Sequence, residues 1–133
     1  MTMWQRRDDE RGSTSTAEVV LIAPALLLCL MLIVQFGLVF HAKQMAEQAA
    51  QEGAAAARRF DASAGDGEAA AGRFLAAIGS GTLRGRSVKA SRGAENVSVT
   101  VSGTVVSLVP GMKLRVSETA GGPVERYVPP EEQ

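Results

Sequence analysis

Catalysis needs side chains that ionise, attack or ligate, and this chain combines few of them usefully. His41 is its one histidine and Cys29 its one cysteine. That excludes a histidine pair for a metal, a cysteine-rich zinc site and an internal disulfide. No nucleophile and acid can be assembled with His41 into a hydrolytic triad. Gly65-x-Gly67 and Gly79-x-Gly81 lack the residues that follow in a phosphate-binding loop. No carboxylate lies in an apolar outer segment where burial would tune it for acid–base work. The 14 basic and 14 acidic side chains cancel, so no cationic surface is set aside for nucleic acid. The expectation is a non-enzyme with no catalytic residues, cofactor or metal. One carboxylate, Glu18, still calls for an account, because it borders an apolar block.

That block is VVLIAPALLLCLMLIVQFGLVF, residues 19–40, 22 residues without a charge. As a helix it spans roughly 33 Å, enough for a hydrocarbon core of about 30 Å. It reads as a transmembrane helix. A core helix of a soluble fold is a poor rival, since little else in 133 residues could enclose it. A cleaved secretory signal is the stronger rival, but its apolar region is usually shorter and Phe40-His41-Ala42 is a poor cleavage site. Pro24 removes one backbone donor near the start of the span. Cys29 reads as a small apolar residue, and Gln35 is the span's one clearly polar side chain. Arg6, Arg7 and Arg11 precede the block and only Lys43 follows closely. The charge rule therefore puts the N-terminus in the cytoplasm and the C-terminal region outside.

Residues 1–12 form a charged leader ending in Gly12, followed by Ser13-Thr14-Ser15-Thr16-Ala17-Glu18. Ser15 and Glu18 have capping-box spacing, with Ser15 as N-cap, and an acid in the first turn suits the helix dipole. A charged leader, a glycine, small residues, a glutamate and a long apolar helix also resemble the prepilin signal of type IV pilin-like proteins. The stretch RGSTSTAEVVLIAPALLLCLMLIVQFGLVFHAKQMAEQAAQEGAAAAR resembles the TadE-like family of minor pseudopilins. Gly12, Glu18, Pro24, Ala49, Gly53, Ala57 and Arg58 fall where that family's pattern places such residues.

The resemblance implies processing by a prepilin-type peptidase at Gly12 and Ser13. It also implies pairing of Glu18 with the new N-terminal amine of a neighbouring subunit, which offsets the cost of burying both charges. Glu18 is sixth when Ser13 is counted as first, whereas pilin-like signals typically place the glutamate fifth. Cleavage after Gly12 with an extra residue tolerated, cleavage after Ser13, and no cleavage all stay open. The implied partners are a pilus platform protein, a cytoplasmic ATPase, the major pilin and sibling pseudopilins.

Beyond the span, residues 41–60 continue as an alanine-rich helix with no proline. Ala42, Ala46, Ala49, Gly53, Ala56 and Phe60 make one stripe. Ala46, Ala50 and Ala54 lie four apart, as do Ala49, Gly53 and Ala57, which lets another element approach closely. The stripe suits either the chain's own strands or a neighbouring helix. Residues 61–67 read as a loop, with Asp66 capping a short helix over 68–78 whose apolar face is Phe74, Leu75 and Ile78.

The period then becomes alternating. Val97, Val99, Val101 and Val105 mark a half-buried strand, with a bend or bulge near Gly103. Pro110-Gly111 is a turn, and Met112, Leu114 and Val116 mark a strand pairing back antiparallel. Residues 86–92 suggest an earlier strand, Gly121-Gly122-Pro123 a turn, and 124–128 a short last strand. Arg84, Arg86, Lys89 and Arg92 form a basic run suited to a strand edge or to anionic lipid.

The expected architecture is α+β and membrane-anchored. A long N-terminal transmembrane helix continues outside the bilayer into a pilin-like head with a second short helix and a small antiparallel sheet. Its parts are a leader (1–12), a capped transmembrane helix (13–40), an extracytoplasmic helix (41–60) and an α+β region (61–133). The resemblance implies a minor pseudopilin or assembly component of a Flp-type (tight adherence) pilus or secretion system in a bacterial cytoplasmic membrane. One rival is a bitopic envelope adaptor or binding module outside any fibre; another is a secreted β-rich protein whose signal is removed after the span.

Overall fold

A computed structural model describes residues 6–78 and 81–130, with side chains from residue 15 onward. Gly12 and Ser13 therefore lie on described backbone, ahead of the first described side chain. Gly79 and Ser80, directly after the expected second helix, lie outside the described residues.

Helix α1 runs unbroken from Arg6 to Arg58, 53 residues with Pro24 inside it, or roughly 80 Å. It passes straight through Ser15, which corrects the expected N-cap there. No proline interrupts the chain before Pro24, so nothing forces a start at Ser15. Transmembrane and outer segments form one rod, which ends where Asp61 adopts a left-handed φ of 60°, a conformation aspartate tolerates better than most residues. The amide of Ala62 closes the turn on the Arg59 carbonyl at 3.1 Å.

Helix α2 (Ala64–Ala77) starts earlier than expected, because its cap is Ser63 and not Asp66. The Asp66 amide donates to Ser63 Oγ at 3.2 Å, and the Ser63 amide donates to Asp66 Oδ2 at 2.7 Å. Asp66 thus fills the position that glutamate usually holds in a capping box. Of the expected apolar face, Leu75 is buried and Phe74 half-buried, while Ile78 is exposed. Gly67, Ala70 and Ala71 complete the buried side.

Strands β1 (Leu83–Arg92), β2 (Asn96–Val105) and β3 (Leu114–Pro123) form one antiparallel sheet in the order β1-β2-β3. The β2 alternation is as expected, with Val97, Val99, Val101 and Val105 buried. The irregularity lies across from Gly103 and not in β2. Arg84 pairs with Thr104 and Ser87 with Ser102, so Gly85 and Arg86 oppose Gly103 alone. Gly85, at φ 57°, supplies the left-handed residue of this bulge. Gly103 stays regular against Val116, because it must admit Leu83. A Cβ there would stand 2.7 Å from the Leu83 side chain.

Two C-terminal expectations are corrected. Gly121, Gly122 and Pro123 are the end of β3, paired with Ser98, Val97 and Asn96, and residues 124–128 form no strand. Glycine is needed at 121 for closeness, since a Cβ there would run into the Val97 carbonyl oxygen of the paired strand; at Gly122 the neighbour is only the Arg58 guanidinium, at 3.3 Å.

The core lies between α1, α2 and one sheet face. Ala42, Ala46, Ala49, Ala50, Ala54 and Ala57 of α1 pack with Leu75, Leu83 and the β2 valines. The fold is α+β, with a long apolar helix, a short second helix and a three-stranded antiparallel sheet.

Candidate functional site

The rod changes character along its length. On 19–30, Val19, Val20, Leu21, Ile22, Leu26, Leu27, Leu28 and Leu30 are all exposed, Leu21 at 75%. An 18-residue window has mean hydropathy 2.8 and is only 6% buried. An apolar helix this bare is not a core helix of its own domain, and its length and composition suit a single-pass membrane anchor. Cys29 is exposed within it. From residue 31 one face turns inward: Met31, Leu38 and Val39 are half-buried and Gln35, Ala42, Met45 and Ala46 buried.

Gln35 is where the head grips the rod. It is 2% exposed and bonds the loop after β2 at both ends of its amide. Nε2 donates to the Val106 carbonyl at 3.2 Å, and Oε1 accepts the Leu108 amide at 2.7 Å. A buried amide satisfied on both sides is a strong positional restraint, because leaving either group unpaired is costly. Sequence reasoning noted Gln35 only as the polar exception in the span. A glutamine among apolar residues was the available signal, but its partners lie 71 and 73 residues away.

The small-residue stripe is used inside the molecule. Ala46, Ala49, Ala50, Gly53, Ala54 and Ala57 are all buried against the chain's own sheet and α2. Of the two uses left open, the monomer carries out the first. Ala56 is half-buried, and Phe60, beyond the end of α1, is exposed with its ring 6.2 Å from Tyr127.

At the far end, Arg58 fastens α1 to the C-terminal strand. Its Nε donates to the Pro123 carbonyl at 3.0 Å, and its own carbonyl accepts the Glu125 amide at 2.9 Å. Arg86 of the basic run donates to the Leu75 carbonyl at 2.9 Å, meeting an orphan acceptor in the last turn of α2. Glu68 of α2 accepts the Ala90 amide at 3.0 Å, covering part of the β1 edge. Arg86 thus binds protein backbone, whereas Arg84 and Lys89 are exposed.

The titratable groups make no reactive cluster. Asp66 is held below its ordinary value of 3.8, chiefly by the Ser63 amide and then by the Ser63 hydroxyl. His41 is exposed on α1, on a shallow hollow lined by Gln44, Met45, Gln48 and Ile78. Among the described residues no three of His, Cys, Asp and Glu converge. Glu18 is exposed, and among the described residues it forms no hydrogen bond or ion pair. Ser15 is exposed on α1 three residues before it.

Residues 13–55 match the family model described as TadE-like protein. The match opens at Ser13, directly after Gly12, and takes in the bare apolar stretch, Gln35 and the small-residue stripe through Ala54. No curated protein and no solved structure matches the chain.

Proposed function

We propose that this chain, TadE-like over residues 13–55, is a minor pseudopilin or assembly component of a Flp-type (tight adherence) pilus or secretion system. Its role is structural and non-catalytic. The observation that carries the reading is the coincidence of the family match with one rod, bare over 19–30 and gripped by its head from Gln35 onward. Bare helix is what a subunit needs to sit first in lipid and then among neighbouring helices. In this reading Arg6, Arg7 and Arg11 hold the N-terminus in the cytoplasm and the head faces outward. A prepilin-type peptidase cuts beside Gly12 and Ser13, and Glu18 pairs with a neighbour's new amine. A platform protein, the major pilin and sibling pseudopilins are the partners. The exposed Glu18 carboxylate, unpaired among the described residues, supports the pairing role, since a capping box no longer accounts for it.

One observation favours the rival adaptor. The stripe that would pack against another subunit's helix is already covered by the chain's own sheet. Lateral packing is then left to the bare segment 19–30, or the chain stays a bitopic envelope anchor outside any fibre. Intact mass and N-terminal sequencing of protein from its native membrane separate the two. A start at Ser13 or Thr14 that disappears with the peptidase supports the pseudopilin. An uncut N-terminus supports the adaptor, and a start beyond residue 40 refutes both.

A further inference from the structure

We infer that the loop between β2 and β3, residues 106–113, inserts into the hydrocarbon edge of the leaflet nearest the head, its occupant being phospholipid acyl chains. The inference rests on the membrane-anchor reading of α1 and adds a second contact with the bilayer.

Length decides the depth. Glu18 is the last charge before the apolar block, so hydrocarbon begins at residue 19. If the loop stayed in water, Gln35 would have to stay there too, because it is bonded to Val106 and Leu108. The span would then be residues 19–34, about 24 Å at 1.5 Å per residue, short of a core of about 30 Å. Drawing in residues 35–38 restores about 30 Å, and it draws in the loop that Gln35 holds. Phe36 and Phe40, at 70% and 64% exposure, then meet lipid and its interface and not bulk water.

The loop is chemically suited to that position. Residues 105–112 carry no charge, and Leu108, Pro110 and Met112 are exposed. Lys113 and Arg115 follow at once, and such side chains extend toward headgroups from an apolar edge.

Five of its backbone polar groups are also met from within. The Val106 amide donates to the Thr82 carbonyl at 3.0 Å, and the Val106 carbonyl and Leu108 amide are taken by Gln35. The Val109 carbonyl accepts both the Ser107 hydroxyl at 2.8 Å and the Met112 amide at 3.2 Å. Irregular backbone is tolerated at membrane depth only where protein satisfies it.

The test uses the full chain with Cys29→Ala and a single new cysteine at Leu108→Cys or Met112→Cys, bearing an environment-sensitive fluorophore. Ser98→Cys, exposed on the sheet's opposite face, is the aqueous control. Each protein is reconstituted in phosphatidylcholine–phosphatidylglycerol vesicles with nitroxide groups on the acyl chains. The expected result is blue-shifted emission and strong acyl-chain quenching at both loop positions and at neither in the control. Aqueous emission at the loop in protein that still floats with the vesicles overturns insertion and leaves the anchor standing. Failure to float overturns the anchor reading as well. A shielded but unquenched loop, with energy transfer between labelled copies, means a second copy covers it and overturns the lipid assignment.

Discussion

Gly53 of α1 and Gly67 of α2 meet where the helices cross, each occupying the space a side chain on the other would need. A Cβ on Gly53 would lie 2.8 Å from the Gly67 carbonyl oxygen, and one on Gly67 would lie 2.9 Å from the Gly53 carbonyl oxygen. Val99 crowds the same point, 3.0 Å from the Gly53 position. Backbone cannot rotate away as a side chain can, so an added methyl must part the helices. Gly53→Ala and Gly67→Ala are each expected to cost about 1–3 kcal/mol through overpacking, despite the gain of up to about 1 kcal/mol that alanine brings to a helix interior. Gly72 in α2 has open space around it, so Gly72→Ala should be neutral or stabilising. Thermal unfolding of the three variants in one detergent checks this. A Gly67→Ala protein as stable as Gly72→Ala would show that the crossing is loose.

Gln35 supports a second prediction. Gln35→Leu keeps the rod apolar but leaves the Val106 carbonyl and Leu108 amide unmet at a partly buried site. Each orphaned group costs about 1–3 kcal/mol, so the loop should open while the rest of the sheet holds. Gln35→Glu retains an acceptor for Leu108, and burial favours its neutral form, whose O–H can still meet the Val106 carbonyl, so it should fall between. Amide hydrogen exchange at Leu108 is the readout. It should be faster in Gln35→Leu, with Val99 unchanged, and equal exchange in variant and parent would remove Gln35 from its role as clamp.

The contrast between these sites shows what was legible in the sequence. The apolar block and the Val97-Val99-Val101 alternation are local periodicities, so the rod and the central strand could be read directly. The stripe of Ala46, Ala49 and Gly53 was legible as a contact face, but not its partner, because small residues fit a sheet or a helix equally well. Gln35 was seen only as an exception, since its meaning lies with Val106 and Leu108, far along the chain. Gly121 and Gly122 look like a turn by composition, yet they are strand, paired with Ser98 and Val97 of β2. Ser63 and Asp66 carry a capping box with aspartate in the usual glutamate position, and the surrounding glycines hid it. Regular periodicities were readable; the misses at Gln35, Gly121 and Gly122 involved a partner from another element, whereas those at Ser15 and Ser63 were local, at helix starts where several small polar residues compete for the cap.

That capping box has a pH signature. The Asp66 carboxylate is stabilised by the Ser63 amide and hydroxyl, so its folded-state pKa lies below 3.8. A depressed carboxyl stabilises the fold above its unfolded value and loses that contribution as pH falls through the folded value. The start of α2 should therefore fray only below about pH 4. Ser63→Ala removes the hydroxyl but keeps the backbone amide, so it should move the Asp66 titration only part of the way up toward 3.8. Carboxyl-carbon NMR of Asp66 in the two proteins checks the shift, and coincident titration curves would exclude the Ser63 hydroxyl as a cause and leave the amide alone.

Glu18 gives the prediction that bears most on function. It is exposed, forms no hydrogen bond or ion pair among the described residues, and stands well inside the unbroken helix that begins at Arg6. Removing it should not disturb the fold of the head, whose core begins at Ala42. It should also ease insertion, because a carboxylate at the membrane edge is unfavourable unless paired. Glu18→Ala is therefore expected to enter the membrane at normal levels with a normal head, and to fail in assembly, where an unpaired amine would be penalised. Glu18→Gln, which keeps the shape and a hydrogen-bonding group but not the charge, should fail as well. The checks are membrane fractionation, head protection from protease, and counts of surface fibres. Wild-type fibre numbers in Glu18→Ala cells would remove the pairing role, whereas rescue by Gln alone would reduce it to a hydrogen bond.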